Sequence, residues 1–285
     1  MTDPAVQLAA RIEHALASHA NAERIAVLSG GYAPSALRHL GVSVPDLRRV
    51  VRRFSRETRT TRPREIIAVA LALVKRRTVE GRQVGYEILA GRADAMDRLT
   101  PALVGRLGRG NDNWASVDGF ATFVAGRAWR EGRLPDRDVA GWARSEDRWW
   151  RRTALAATVA LNVAARGGHG DAGRTLLVCR HFAREADPML AKALSWALRS
   201  LVPHDPAAVL AFLERHRATL PALVRREVRA KLETGRKRRA TTPSHRRASA
   251  KPDALQGRSM TAPSRRRKPG PRPGSPPRSV GEGAR

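Results

Sequence analysis

Cysteine is almost missing. Cys179 is the only one in 285 residues, which excludes an intrachain disulfide and any cysteine metal cluster. Acids are also few, 26 against 54 Lys and Arg. No stretch approaches the ~20 apolar residues that a membrane-spanning helix needs. The N-terminal run MTDPAVQLAARIEH carries charge too early, and its apolar run is too short, for a secretion signal. A cytoplasmic protein is expected. The eight His show no cluster, with His14, His19, His39 and His181 scattered and His169 in a glycine loop, so no metal site is expected. Gly30-Gly31 and Gly167-Gly168 lack the Lys-Ser/Thr that completes a phosphate loop. No nucleophile elbow supports Ser-His-Asp catalysis.

What the chain has is positive charge. The formal balance is +28, and its distribution matters more than its total. Residues 235–285 hold 15 Lys and Arg against only Asp253 and Glu282, and the first 234 residues are basic as well. A basic body and a basic end point to a polyanion, with nucleic acid the leading candidate. A generically basic surface is the plainer alternative, since a GC-rich coding sequence also favours Arg, Ala and Gly.

Between residues 3 and 234 there is no sustained period-two alternation, and Ala/Leu/Arg-rich segments repeat apolar residues at spacings of three and four. Asp3-Pro4 opens the first helix, as cap and first helical residue. Ser43-Val44-Pro45 opens another, with Leu47, Val50, Val51 and Phe54 on one stripe. Pairs follow: 61–76 with 79–89, 100–108 with 113–129, 136–143 with 147–165, 172–184 with 188–202, and 206–217 with 220–234. Helix pairs recurring every ~40 residues are the mark of a HEAT-like α-solenoid. A compact multi-helix bundle is the alternative. The expected fold is therefore all-α, a HEAT-like repeat superhelix with a concave basic face over residues 1–234. Residues 235–285 combine Pro, Ser, Gly and Arg with little to bury and are expected to form a disordered basic tail.

One constellation stands out from this background. Trp114 and Asp118, in NDNWASVDGF, lie four apart and so share a helix face. Arg152 follows 34 residues later and Trp196 a further 44, both on second helices of later pairs. In a solenoid those helices line one surface, so two indoles, a carboxylate and a guanidinium can converge. Such a set suits a cationic, phosphate-flanked ligand. Each member also has a plainer reading: a mid-helix Asp often pairs with a nearby Arg, and most tryptophans pack. Trp129 and Trp142 are expected as core or inter-repeat anchors. Adjacent Trp149 and Trp150 cannot share a face, so one is expected in the core and one at the surface.

The chain resembles the AlkD-type DNA alkylation repair glycosylases, a HEAT-like repeat family. The segments DNWASVDGF (112–120), DRWWRRTALA (147–156) and KALSWALRSLVPHDP (192–206) carry the resemblance; YAPSALRHLGVSVPDLRRV (32–50) is a less specific match. It spans about 32–234, with strong motifs only in 112–206. The resemblance implies that Asp118 is the catalytic carboxylate, that Trp114 and Trp196 are lesion-flanking indoles, and that Arg152 contacts a phosphate. Arg151 is the alternative by one residue of register, although Thr153-Ala154 favours Arg152. Lys192 and Arg199, flanking Trp196, are further candidate DNA contacts.

The activity so implied is hydrolysis of the N-glycosidic bond of positively charged N3- or N7-alkylated purines in duplex DNA. It leaves an abasic site, and the expected protein is a monomer needing no cofactor or metal. Two rivals come from other classes. One is a HEAT-repeat protein that binds damaged or unusual DNA without excision, for which loss of part of the quartet is expected. The other is a protein-binding α-solenoid scaffold, which gives no reason for so basic a body.

Overall fold

A computed structural model describes residues 3–235. The described residues all belong to one compact unit. The tail expected at 235–285 lies, from residue 236 onward, outside the described residues.

The helix starts follow from local capping chemistry. The Asp3 carboxylate accepts from the Ala5 N–H at the head of α1 (Pro4–Ala17). The Ser43 hydroxyl caps α3 (Val44–Glu57), which buries Leu47, Val50 and Phe54, with Val51 half-buried beside them. Between them lies an element that periodicity does not reveal: α2 (Ala22–Val27), running on into a π-helical turn, Leu28–Tyr32. Gly31 at φ 135° ends that turn in a conformation that side chains beyond glycine rarely adopt.

The pairs then follow in order. They are α4 (Pro63–Lys75) with α5 (Val79–Ala90), a single turn α6 (Ala93–Met96), and α7 (Pro101–Gly108) with α8 (Trp114–Phe120). Helix α8 continues through a π-helical turn, Ala121–Ala125, into α9 (Gly126–Arg130), and together they make up the segment expected at 113–129. Next come α10 (Asp136–Ala143) with α11 (Arg148–Ala157) and the short α12 (Val159–Asn162). The helix expected at 147–165 breaks at Thr158, whose hydroxyl donates to the Leu155 carbonyl and diverts the i to i−4 ladder. The chain closes with α13 (Ala172–Arg180) and α14 (Pro188–Leu201), then α15 (Pro206–Arg215) and α16 (Ala222–Thr234). Asp171, Asp187 and Asp205 cap three of these four helices.

Among the described residues the structure is helical and has no strand beyond one isolated bridge between Arg38 and Thr78. Successive second helices pack on one another, α5 on α8, α8 on α11, α11 on α14 and α14 on α16. This is the neighbour-to-neighbour pattern of an α-solenoid. Trp129 is fully buried in the core, and Trp142 and Trp150 pack against that core with ring centroids 5.0 Å apart. Trp149 instead lies under the Arg148 guanidinium, and both adjacent rings are half-buried, so the expected division into one core and one surface tryptophan is only partial.

Candidate active site

The site begins at the N-terminus of α8. The Asn113 side chain accepts from the Ser116 N–H at 2.9 Å and fixes where the helix starts. Neighbouring Asp112 reaches outward to the N-terminal segment. One of its oxygens accepts from the Ser35 hydroxyl, and the other from the Ala36 N–H at 2.6 Å. The amide of Asn113 also donates to the Ser35 hydroxyl, at 3.0 Å. Together these bonds hold the segment after Gly31 against α8.

Tyr32 is delivered by that anchor. Its carbonyl accepts from the Trp114 indole N–H at 2.7 Å, and its ring meets the indole edge-on at 5.2 Å. Tyr32 is 62% exposed, so its ring offers an open aromatic surface beside Trp114. Sequence reasoning missed it. The usable signal was Gly30-Gly31, which permits the sharp turn just before the tyrosine.

One turn along α8, the Asp118 carboxylate receives two parallel hydrogen bonds from Arg152 on α11. Nε donates to Oδ1 and Nη2 to Oδ2, both at 2.8 Å. Arg152 Nη1 donates to the Met189 carbonyl at 2.5 Å, tying the pair to the first turn of α14. The Arg152 side chain is 7% exposed and the Asp118 side chain 19%. Two-point geometry favours the ionised carboxylate, because each oxygen accepts an N–H from a charged guanidinium. Burial pushes the Asp118 carboxyl above its ordinary range, and the charge and hydrogen bonds of Arg152 pull against that rise. A carboxylate has about four lone-pair sites and Arg152 uses two, so the partly exposed side keeps acceptor capacity for a water or sugar.

Arg152 is thus the guanidinium beside Asp118. Of its five N–H groups three are committed within the protein, leaving one on each terminal nitrogen. Arg151 points elsewhere: it pairs with Glu185 and stacks over Phe182, 5.3 Å to the ring centre. Trp196 lies on α14 seven residues after Met189, hence on the same face and two turns along. Among the described residues it makes no hydrogen bond or ring contact, and it is half-buried. Lys192, one turn before it, is exposed and has no ion-pair partner among the described residues. Arg199 is engaged: it donates to Ser195 at 3.1 Å and pairs with Glu227 at 3.4 Å. The structure therefore joins Asp118 and Arg152 directly and sets Trp114 one turn from Asp118 on α8. No hydrogen bond or ring contact among the described residues joins Trp196 to this group; it lies on α14, two turns beyond Met189.

Other chemistry finds no support in the same region. Cys179 is buried, and burial drives its thiol pKa far above the ordinary value, so it is no nucleophile. Among the described residues no three His, Cys, Asp or Glu side chains are grouped to hold a metal. No described helix is long and apolar enough to cross a membrane.

Comparison with known proteins follows the same direction. The family model described as DNA alkylation repair enzyme matches residues 12–232, which covers every residue of the constellation. No curated protein matches the chain.

Proposed function

This chain belongs to the family of DNA alkylation repair enzymes, and we propose that it is a glycosylase removing N3- or N7-alkylated purines from duplex DNA. The observation that carries this reading is a partly exposed Asp118 carboxyl held at two points by Arg152, one helical turn from the indole of Trp114.

Alkylation at N3 or N7 makes the purine cationic, and its glycosidic bond is weakened in advance. On cleavage the bonding pair moves to the base, which departs neutral, and positive charge passes to the sugar. Water then adds to the sugar C1′ and releases a proton, leaving an abasic site. In this scheme Asp118 meets the oxocarbenium-like sugar with fixed negative charge and orients the water through its unused lone pairs. The indole faces of Trp114 and Trp196 attract cationic character, worth about 0.5–2 kcal/mol for each contact. The exposed Tyr32 ring supplies further aromatic surface.

Arg152 acts chiefly by positioning Asp118, and its two spare N–H groups remain for a phosphate oxygen. Lys192 is available for backbone contact as it stands, whereas Arg151 and Arg199 must first leave their carboxylates. The second helices form the basic DNA-facing surface of a superhelix. The protein acts as a monomer in the cytoplasm, at the nucleoid in a bacterium, and residues 235–285 add a non-specific electrostatic tether.

A second reading draws on the same pair. If the Asp118–Arg152 contact were only structural, the protein would bind damaged DNA without excising a base. Release of methylated purine from alkylated duplex, comparing wild type with Asp118→Asn, separates the two. DNA binding without base release by the wild type would end the glycosylase reading. Equal release by both proteins would remove Asp118 from the mechanism.

A further inference from the structure

Beyond Asp118 the same helix leads to a second cluster. The Thr122 hydroxyl donates to the Asp118 carbonyl at 2.8 Å, and Phe123 follows it in the π-helical turn. The Arg166 guanidinium lies 3.7 Å from the centre of the Phe123 ring, and that of Arg48, from α3, lies 5.9 Å from it. Two like charges thus share one aromatic ring. Arg166 and Phe123 line a groove of about 440 Å³ together with Glu87, Arg127, Arg130 and Glu131.

The charges around this groove do not balance. Arg48 pairs with Glu87, while Arg127 and Arg130 share Glu131. Arg166 is half-buried, yet among the described residues its guanidinium has no hydrogen bond and no carboxylate partner. A guanidinium partly removed from water without an anion is costly, and the nearby Arg48 charge adds repulsion. Burial first, and then that repulsion, lower the pKa of Arg166.

The backbone beneath Arg166 is nevertheless fixed. Arg130 Nη1 donates to both the Ala160 and Arg166 carbonyls, at 2.8 and 2.5 Å, and Gly167 closes the turn at φ 77°. Arg166 is thus a guanidinium stacked on Phe123 above a fixed backbone, without a carboxylate partner among the described residues, while the nearby Arg48 is already paired with Glu87. Such an arrangement leaves the Arg166 guanidinium free to take an anion from solution.

We propose that Arg166, stacked on Phe123 and backed by Arg48, binds a backbone phosphate of the DNA strand that passes the Asp118 site. The proposal rests on DNA being the ligand, and it does not require base excision. A strand is favoured over a free anion by continuity: Asp118, Thr122 and Phe123 follow one another along a single helical run. Gln83 bridges the interval from α5, since its amide lies against Gly119 and donates to Glu87 at 2.6 Å.

The test measures affinity for undamaged duplex across a salt series, using the full chain. One phosphate contact contributes about 0.9 to the slope of log K against log salt. Arg166→Gln is expected to reduce the slope by about that amount, which corresponds to roughly eight-fold weaker binding at 0.1 M salt relative to 1 M. Arg166→Lys should keep most of it. Arg133→Gln is the control, because Arg133 is paired with Asp97 on another element and should change the slope little. Equal losses in Arg166→Gln and Arg133→Gln would overturn the proposal, since charge alone would then explain them. An unchanged slope in Arg166→Gln would also overturn it. A further arm follows melting in millimolar inorganic phosphate. Stabilisation of wild type but not Arg166→Gln, with equal DNA slopes, would assign the site to a free anion instead. Base release is scored separately: a lowered slope with no excision by the wild type would sink the glycosylase reading and leave this site standing.

Discussion

Replacing Arg152 by Gln asks whether that guanidinium serves Asp118 or the DNA. The substitution removes both 2.8 Å hydrogen bonds to the carboxylate and leaves a mostly buried Asp118 without its counter-charge. Breaking a buried pair by removing one partner costs about 3–5 kcal/mol, and the partial exposure of Asp118 argues for the lower end. About 3 kcal/mol in a domain of this size lowers the melting temperature by roughly 6–12 °C. The chemistry should respond as well. Burial raises the Asp118 pKa and Arg152 opposes it, so loss of Arg152 lets the pKa rise further. Excision needs the ionised form, which is lost as pH falls through that pKa. The acid limb of the rate profile should therefore move to higher pH.

A double-mutant cycle completes the test. Asp118→Asn is expected to slow single-turnover base release by about 10²–10³-fold, the usual scale for a preorganised electrostatic group. If Arg152 works through Asp118, adding Arg152→Gln to Asp118→Asn should slow release little further. The double variant should also melt above Arg152→Gln alone, because no charge is stranded. The positioning role is refuted if the two losses multiply while the acid limb of Arg152→Gln stays where it was. Arg152 would then be gripping a phosphate independently.

Trp196→Ala should cut base release by about 2- to 30-fold, the value of one cation–π contact, with little change in melting, because the ring is half-buried and makes no ring contact. Asp112→Ala frees Ser35 and Ala36 and should cost about 1–3 kcal/mol locally, seen as faster amide exchange over residues 28–37 while α11 stays protected. Protection unchanged in that segment would remove Asp112 as the anchor of Tyr32. Gly126→Ala places a Cβ 2.4 Å from the Ala157 carbonyl oxygen and 2.7 Å from the Ala160 Cβ. Overpacking of this kind costs about 1–3 kcal/mol, and an unshifted melt would mean that α9 and α12 can separate freely.

The helices were legible where chemistry is local. Asp3-Pro4, Ser43, Asp187-Pro188 and Asp205-Pro206 each announce a cap within two or three residues, and each opens a helix where expected. The Trp114–Asp118 spacing was legible for the same reason. Tyr32 was not, since its position depends on the φ of Gly31 and on Asp112, 80 residues further along the chain. The break at Thr158 was missed because a single side chain competing with the backbone leaves no trace in apolar spacing.

Charge shows the same divide more sharply. A net charge of +28 points to a polyanion as the partner class, but it cannot say which cations are free to meet one. Arg151, Arg152, Lys192 and Arg199 were the basic residues singled out by motif, and three of them are held by Glu185, Asp118 and Glu227. A cation already neutralised by a carboxylate adds little to the local potential and releases few counterions when DNA arrives. Arg166 belongs to no motif, yet it is half-buried, lies near a second guanidinium and has no carboxylate partner among the described residues. The residues that matter most for holding the strand are therefore those whose pairing is incomplete, and pairing is a property of the folded chain.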